Sequence, residues 1–295
     1  MARAIVGFAL LPDRRQDWTT VREIDVRHLG RERTICCWQV GEVLVDPGPE
    51  ASLATLVDEI ADRPPGALLL THVHLDHAGA AGSIVAMWPQ VPVYVHERGA
   101  PHLADPSKLL QSAARLYGDD MERLWGEVLP VPEENLRPLA GGETVEGFRV
   151  AYTPGHASHH VAYLHEDSGW AFVGDVAGVR IQPSAVTLAP TPPPDVDLDA
   201  WDASLDAVAA WEPAGLGLTH FGGVADVGEQ LAAARQALHS FAELARGGDR
   251  EAFVAALREQ VGGGSDPETA AAYEQAAPFD QLWLGLERYW AKRGE

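Results

Sequence analysis

Within the run ALLLTHVHLDHAGAAG stand His72, His74, Asp76 and His77, four side chains able to bind a metal within six positions. At the histidine and acid content of this chain, His-x-His-x-acid-His arises by chance on the order of three times per thousand such sequences, so coincidence is disfavoured. Where a chain leaves a strand still extended, residues two apart face one side, so His72 and His74 can grip one ion together. Asp76 and His77 fall where the chain turns into a helix and face a second ion. Gly79 and Gly82 either let the backbone crowd this turn or simply open the helix.

A closed two-metal site needs more ligands, and three later segments offer them just past apolar runs: His156 in VAYTPGHASHH, Asp175 in WAFVGDVAG and His220 in LGLTHFG. Strand ends are where α/β scaffolds place reactive groups, although each of these residues alone is more often a satisfied turn residue. Taken in order, THVHLDH, PGH, GD and the late TH resemble the metallo-β-lactamase superfamily over roughly Ile5 to Gly223. The resemblance implies an α/β fold, an αββα sandwich of two mixed β-sheets with helices outside. It also implies that His72, His74 and His156 hold one metal, that Asp76, His77 and His220 hold the other, and that Asp175 bridges them. Imidazole and carboxylate without thiolate suit two divalent transition-metal ions, zinc by default and iron or manganese otherwise. A water bridging such cations is deprotonated near neutral pH, giving a hydroxide that attacks an ester-type carbonyl, with Asp76 and Asp175 as the catalytic carboxylates. No G-x-S-x-G elbow and no G-x-x-x-x-G-K-[ST] loop competes with that chemistry.

Departures from the family pattern narrow the function. An antibiotic-degrading member would be secreted and lack the bridging Asp175, whereas MARAIVGFALLP is cut by Pro12 and shows no cleavage pattern. His74 stands where electron-transferring diiron members carry glutamate, and VAGVRIQPS replaces the Cys-Gly-Arg-Thr-Asp-Phe-like run of persulfide dioxygenases. What remains resembles the glyoxalase II-like thioesterases with a helical C-terminal extension, and less closely the lactonases. A lactonase, a metal-dependent oxygenase of the persulfide dioxygenase type and a non-catalytic metal-binding module are the alternatives. His160, four residues after His156, is expected to support the site, while His28, His96, His102, His165 and His239 read as ordinary core or surface residues. The tail's Arg235, Arg246, Arg250, Arg258, Arg288, Lys292 and Arg293 read as helix-surface residues rather than a glutathione site.

The elements that must position these residues are legible in the hydrophobic pattern. The chain has 295 residues, 46% of them hydrophobic, enough for one large core, and no stretch approaches the ~20 apolar residues of a membrane helix. A formal charge of -21 disfavours nucleic acid and anionic membranes as partners and leaves a small-molecule substrate, with a homo-oligomer an open alternative. Expected strands are AIVGFALL, VREIDVRHL, TICCWQV, EVLVDPG, ALLLT, VPVYV, FRVAYT, HVAYLHE, WAFVGD and LGLTH. Hairpin signals in QVGEV and EDSGW make the sheets mixed. Expected helices run from Ala51 to Ala61, Ala78 to Met87, around Lys108 to Trp125, and Leu198 to Ala210, with three or four more in the tail. The domain boundary is placed near Val224, giving residues 1–223 and a helical extension 224–295. Adjacent Cys36 and Cys37 on a strand point to opposite faces and form no disulfide, which favours a reducing cytoplasm. Leu109 to Trp125 and Ala189 to Asp197 are expected to overhang the metals. Phe279, Leu282, Trp283, Leu286 and Trp290 form a helical stripe that packs on the main domain or on another subunit.

Overall fold

The computed structural model describes residues 21–294, so the strand expected in AIVGFALL lies outside the described residues. Two six-stranded sheets form, one from each half of the chain. The first holds β1 (Val21–Asp25), β2 (Cys36–Val40), β3 (Val43–Val45), β4 (Ala67–Leu69), β5 (Val93–His96) and β6 (Leu136–Leu139). The second holds β7 (Thr144–Val145), β8 (Phe148–Tyr152), β9 (Val161–His165), β10 (Trp170–Gly174), β11 (Gly215–Leu218) and β12 (Gly222–Val224). Pairing is antiparallel from β1 to β3 and parallel from β3 to β6. In the second sheet only β10 and β11 run parallel, so both sheets are mixed, as the hairpin signals imply. Sequence pattern does not reveal β6, β7 or β12. Pro138 interrupts β6, which tolerates it as the last strand of its sheet, and β12 opens on two glycines, of which Gly223 leaves room for the Trp170 ring.

Alternation along the strands sorts side chains into two cores. Cys36, Trp38, Val45 and Leu69 pack with Phe148, Val150 and Phe172 between the sheets. Cys37, Leu44, Leu68 and Leu70 pack on the outer side against α1 (Leu53–Glu59), α3 (Ala81–Met87) and α4 (Ala100–Ala104), with the four-residue α2 (Leu75–Ala78) leading into α3. The two cysteines are buried, unbridged and on opposite faces. α5 (Ser107–Tyr117) and α6 (Met121–Trp125) fill the stretch expected around Lys108 to Trp125, and α7 (Leu198–Ala209) starts at Asp197, whose side chain accepts from Ala200 N.

Four tail helices follow: α8 (Val227–Gly247), α9 (Arg250–Gly264), α10 (Pro267–Ala276) and α11 (Phe279–Arg293). Asp226, Asp249 and Asp266 cap the first three, each carboxylate accepting from first-turn N–H groups that have no partner within the helix. Phe241, Phe253, Tyr273 and Leu286 join the same apolar cluster that lies between the sheets. The stripe on α11 is therefore satisfied within one chain: Phe279, Leu282 and Leu286 are buried, and Trp283 and Trp290 pack half-buried beside them. No helix among the described residues is long and apolar enough to cross a membrane.

Candidate metal centre

Four of the seven candidate ligands leave the end of β4 together. Asp46, just past β3, accepts from Thr71 N (2.8 Å) and Thr71 Oγ1 (2.7 Å) and so pins this strand exit. His72 and His74 then lie on one side, His72 Nε2 2.9 Å from His74 Nδ1. α2 begins directly after His74 and carries Asp76 in its first turn. His156 stands in the turn from β8 to β9, where Gly155, at φ 129, lies against the Trp201 backbone with no room for a Cβ. Asp175 follows β10 through Gly174, which at φ 49 packs against Thr71 and His160. His220 ends the run from β11.

All seven residues converge. His156 Nε2 lies 3.2 Å from His72 Nε2 and 2.9 Å from His74 Nδ1. His220 Nε2 lies 3.3 Å from Asp76 Oδ2. Asp175 spans the two groups, with Oδ2 3.3 Å from His156 Nε2 and Oδ1 3.3 Å from His77 Nε2 and 3.6 Å from His220 Nε2. Three sets, His72/His74/His156, His72/His77/Asp175 and Asp76/His77/His220, each bring their ligand atoms within 4.8 Å of one another.

Hydrogen bonds on the outer nitrogens fix which atoms face inward. Pro190 O and Thr34 O can only accept, so His156 Nδ1 (2.8 Å) and His220 Nδ1 (2.7 Å) donate to them. His77 Nδ1 donates to Asp46 Oδ2 (2.8 Å). Thr71 Oγ1 spends its proton on Asp46, so it accepts from His72 Nδ1 (3.1 Å). In the neutral rings the Nε2 atoms of His72, His77, His156 and His220 are therefore bare lone pairs turned toward each other and toward carboxylate oxygens. His77 Nε2 and Asp175 Oδ1 are buried without any hydrogen-bond partner. Such a donor set is repulsive until cations enter it, and nitrogen ligands of one tetrahedral zinc stand roughly 3.3 Å apart, close to the spacing of the first triad.

The electrostatics separate the rings into two groups. Burial pushes His72, His74 and His156 below the usual histidine range, His74 to about 4. Burial acts the same way on His77 and His220, but Asp175 and Asp76, joined at His77 by Asp46, outweigh it and hold both rings high. Burial would raise the Asp76 and Asp175 carboxyls, yet the surrounding rings keep both below the usual carboxylate range. The negative charge gathered here is what divalent cations could neutralise.

Asp46 is the residue that sequence reasoning misses. It is fully buried and accepts also from Thr219 Oγ1 (3.0 Å), so it ties the exits of β4 and β11 to the back of His77. Its placement after the apolar run VLV is the signal that singled out Asp175, but Pro47-Gly48 makes it look like a turn acid. His160 supports the site as expected: its Nδ1 meets Thr153 Oγ1 (2.8 Å) and its Nε2 accepts from Asp175 N (3.3 Å).

A cleft of about 420 Å³ opens over His74, Asp76 and Asp175. Leu109, Leu116 and Tyr117 of α5, Trp125 of α6, and Pro190 and Pro192 form much of its wall, so both segments expected to overhang the site do so. The tail adds Pro278, Gln281 and Leu282. A second opening of about 300 Å³ reaches Asp76 and His220 past His28 and Trp125, and Tyr117 and Gln281, joined by a hydrogen bond of 3.1 Å, border both.

The family model described as Metallo-beta-lactamase superfamily matches residues 41–224. A metallo-beta-lactamase fold-containing protein of Sulfurisphaera tokodaii is 28% identical over 197 residues, 64% of this chain and 71% of that protein. A probable metallo-hydrolase of Bacillus subtilis is 32% identical over 136 residues, 45% of this chain and 60% of its own length. A hydroxyacylglutathione hydrolase of Legionella pneumophila is 28% identical over 138 residues, 44% of this chain and 41% of its own length. The chain thus spans less than two thirds of the last two relatives. Among solved structures, an archaeal metallo-beta-lactamase superfamily protein from Sulfolobus tokodaii has a TM-score of 0.69 at 22% identity, over 90% of this chain and 97% of that one. A metallo-beta-lactamase family protein from Thermus thermophilus gives 0.62 at 23% identity, over 93% and 94%. At those identities the likeness is one of fold.

Proposed function

Because the chain belongs to the metallo-beta-lactamase superfamily, we propose that its seven clustered side chains hold two divalent transition-metal ions, zinc foremost, and that it hydrolyses thioesters there. The observation that carries the reading is the set of inward lone pairs on His72, His77, His156 and His220, with the Asp175 oxygens divided between the two groups. His72, His74 and His156 are assigned to one ion, Asp76, His77 and His220 to the other, and Asp175 to both. When bound, such ions supply an acidified water and a Lewis acid for the carbonyl.

The residues of the chain do the rest. Asp76, with 21% of its side chain exposed and its carboxyl held ionised by the surrounding rings, accepts a hydrogen bond from the attacking water and orients it, and the proton that water releases reaches the leaving thiolate through solvent. The apolar walls of α5 and the proline segment exclude water from the scissile bond and orient the acyl body. A thioester is favoured over a lactone because a second opening past Trp125 also reaches Asp76, which suits a substrate that leaves as two separate pieces. The relatives include a protein named hydroxyacylglutathione hydrolase, and the chemistry transfers from it without the glutathione: none of the tail's basic residues lines the cleft.

Elemental analysis of metal-reconstituted protein, followed by a panel of thioesters, lactones and phosphodiesters, tests the reading. Close to two ions per chain and turnover of thioesters above the other classes are expected. Zero ions, or turnover confined to lactones, would overturn it.

A further inference from the structure

Positive charge is scarce in this chain, 22 basic against 43 acidic residues, and part of it is already spent on carboxylates. Arg22, Arg123, Arg235, Arg250, Arg258 and Arg293 each hold a carboxylate. Of the two lysines in the sequence, Lys292 donates to Pro194 O (3.1 Å). The other, Lys108, makes no hydrogen bond and no ion pair among the described residues, and it lines the cleft over the metal ligands. Asp105, the acid in its own turn, is held by Ser107 N (3.1 Å) and stays outside ion-pair distance. Arg98 lines the same cleft, and among the described residues its side chain has only a neutral hydrogen-bond partner, the Tyr152 hydroxyl at 2.8 Å, with its guanidinium 5.5 Å from the centre of that ring. Asp195, among the described residues the one cleft carboxylate outside the ligand set, is occupied by Ser158 N (3.2 Å) and Ser158 Oγ (2.6 Å).

The cleft is therefore polarised. Its lining combines the ligands His74, Asp76 and Asp175 with Lys108 and Arg98, two cations that make no ion pair among the described residues, and Leu109, Leu116 and Pro192 supply apolar wall. Resting on the thioesterase reading, we infer that the substrate has an anionic group, a carboxylate or a phosphate, separated by an apolar body from the scissile carbonyl, and that Lys108 and Arg98 select it. Cations in a molecule of charge -21 lower its energy when they pair with surface acids, as Arg22, Arg123, Arg235, Arg250, Arg258 and Arg293 do. Held instead at a cleft without a carboxylate partner, Lys108 and Arg98 favour an incoming anion, and their exposure makes the selection one of binding rather than of chemistry.

Matched thioesters test this on the metal-loaded full chain: an ω-carboxyacyl thioester, its methyl ester, the isomer with the carboxylate on the thiol side, and the ω-phosphate. Wild type is expected to prefer an anionic substrate over the neutral one by about tenfold in kcat/KM, expressed in KM and shrinking as salt is raised. The ratio should fall toward one in a Lys108→Met, Arg98→Met double variant and reverse in Lys108→Glu. It should persist in Arg258→Met, which removes the same charge from a surface pair. A wild-type ratio of one, or a preference that survives the double variant, overturns the inference. Calorimetry with octanedioate against octanoate separates the two readings. If no thioester is hydrolysed while octanedioate binds more tightly through Lys108 and Arg98, the anion site stands and the thioesterase falls. If thioesters turn over with no charge preference, the reverse holds.

Discussion

Asp46 never reaches the cleft, yet four donors converge on its carboxylate and one of them is the back of His77. Removing it in Asp46→Ala should weaken metal binding by about 10–100-fold in chelator competition, the usual cost of losing a carboxylate behind a ligand histidine. The melt should also fall, because buried donors of Thr71 and Thr219 lose their acceptor; undiminished affinity would show that His77 orients itself without it. His28 responds to pH instead. It is buried, stacks on Trp125 with ring centroids 5.6 Å apart, and burial pushes its pKa to about 4. A ring kept neutral in the fold contributes its full stability above the unfolded value of about 6.5 and loses it as the pH falls toward 4, an effect of about 2 kcal/mol after solvent screening. Metal-free His28→Phe, which keeps the stacking, should therefore lose less stability than wild type between those pH values, and parallel melting curves would refute the assignment. The ligands themselves were legible because metal chemistry confines rare residue types to fixed spacing. Asp46 was not, because its role depends on a backbone φ of 50 and on partners up to 173 positions away.

Between elements, the decisive contact joins α11 to the proline segment. Thr191 Oγ1 donates to Leu282 O (3.0 Å), Arg288 and Lys292 both reach Pro194 O, and Gly285 leaves no room for a Cβ against Thr191 O. The other side of this segment offers Pro190 O to His156 Nδ1, so the last helix bears on a metal ligand through a short run of extended chain. Gly285→Val should force the two apart, costing about 1–3 kcal/mol of stability by overpacking. It should also reduce metal loading below that of wild type, measured by melts and elemental analysis of one preparation; a melt lowered with loading unchanged would confine the contact to packing. APTPPPDVD reads as stiff and extended; the segment holds no helix or strand but bends at Pro193-Pro194, and nothing local in it announces a helix about 90 residues later. Short strands fail for the same reason: Leu136–Leu139, interrupted by Pro138, exists because β5 is there to pair with it.

For the molecule as a whole, the sandwich and the tail share one apolar cluster, so the extension is a structural part of the fold. Deletion from Asp266 removes Tyr273, Phe279, Leu282 and Leu286, buried side chains contributing about 2–3 kcal/mol each against a typical total of about 5–15 kcal/mol. The truncated chain should lose its cooperative melt, and an unchanged melting temperature would contradict the shared core. Fold class was readable from alternation and ligand order together, whereas the union of tail and sandwich was not, since periodicity shows that a face is apolar without naming what covers it. Each sheet is built from its own half of the chain, and the ligands divide along the same seam: His72, His74, Asp76 and His77 come from one half, His156, Asp175 and His220 from the other. Ions held across that seam act as rivets, and at about a hundred times its dissociation constant each would add about 2.7 kcal/mol to the grip between the halves. The lifetime of this chain among proteases would then track the supply of metal around it, with a starved molecule opening along the seam and a loaded one staying shut.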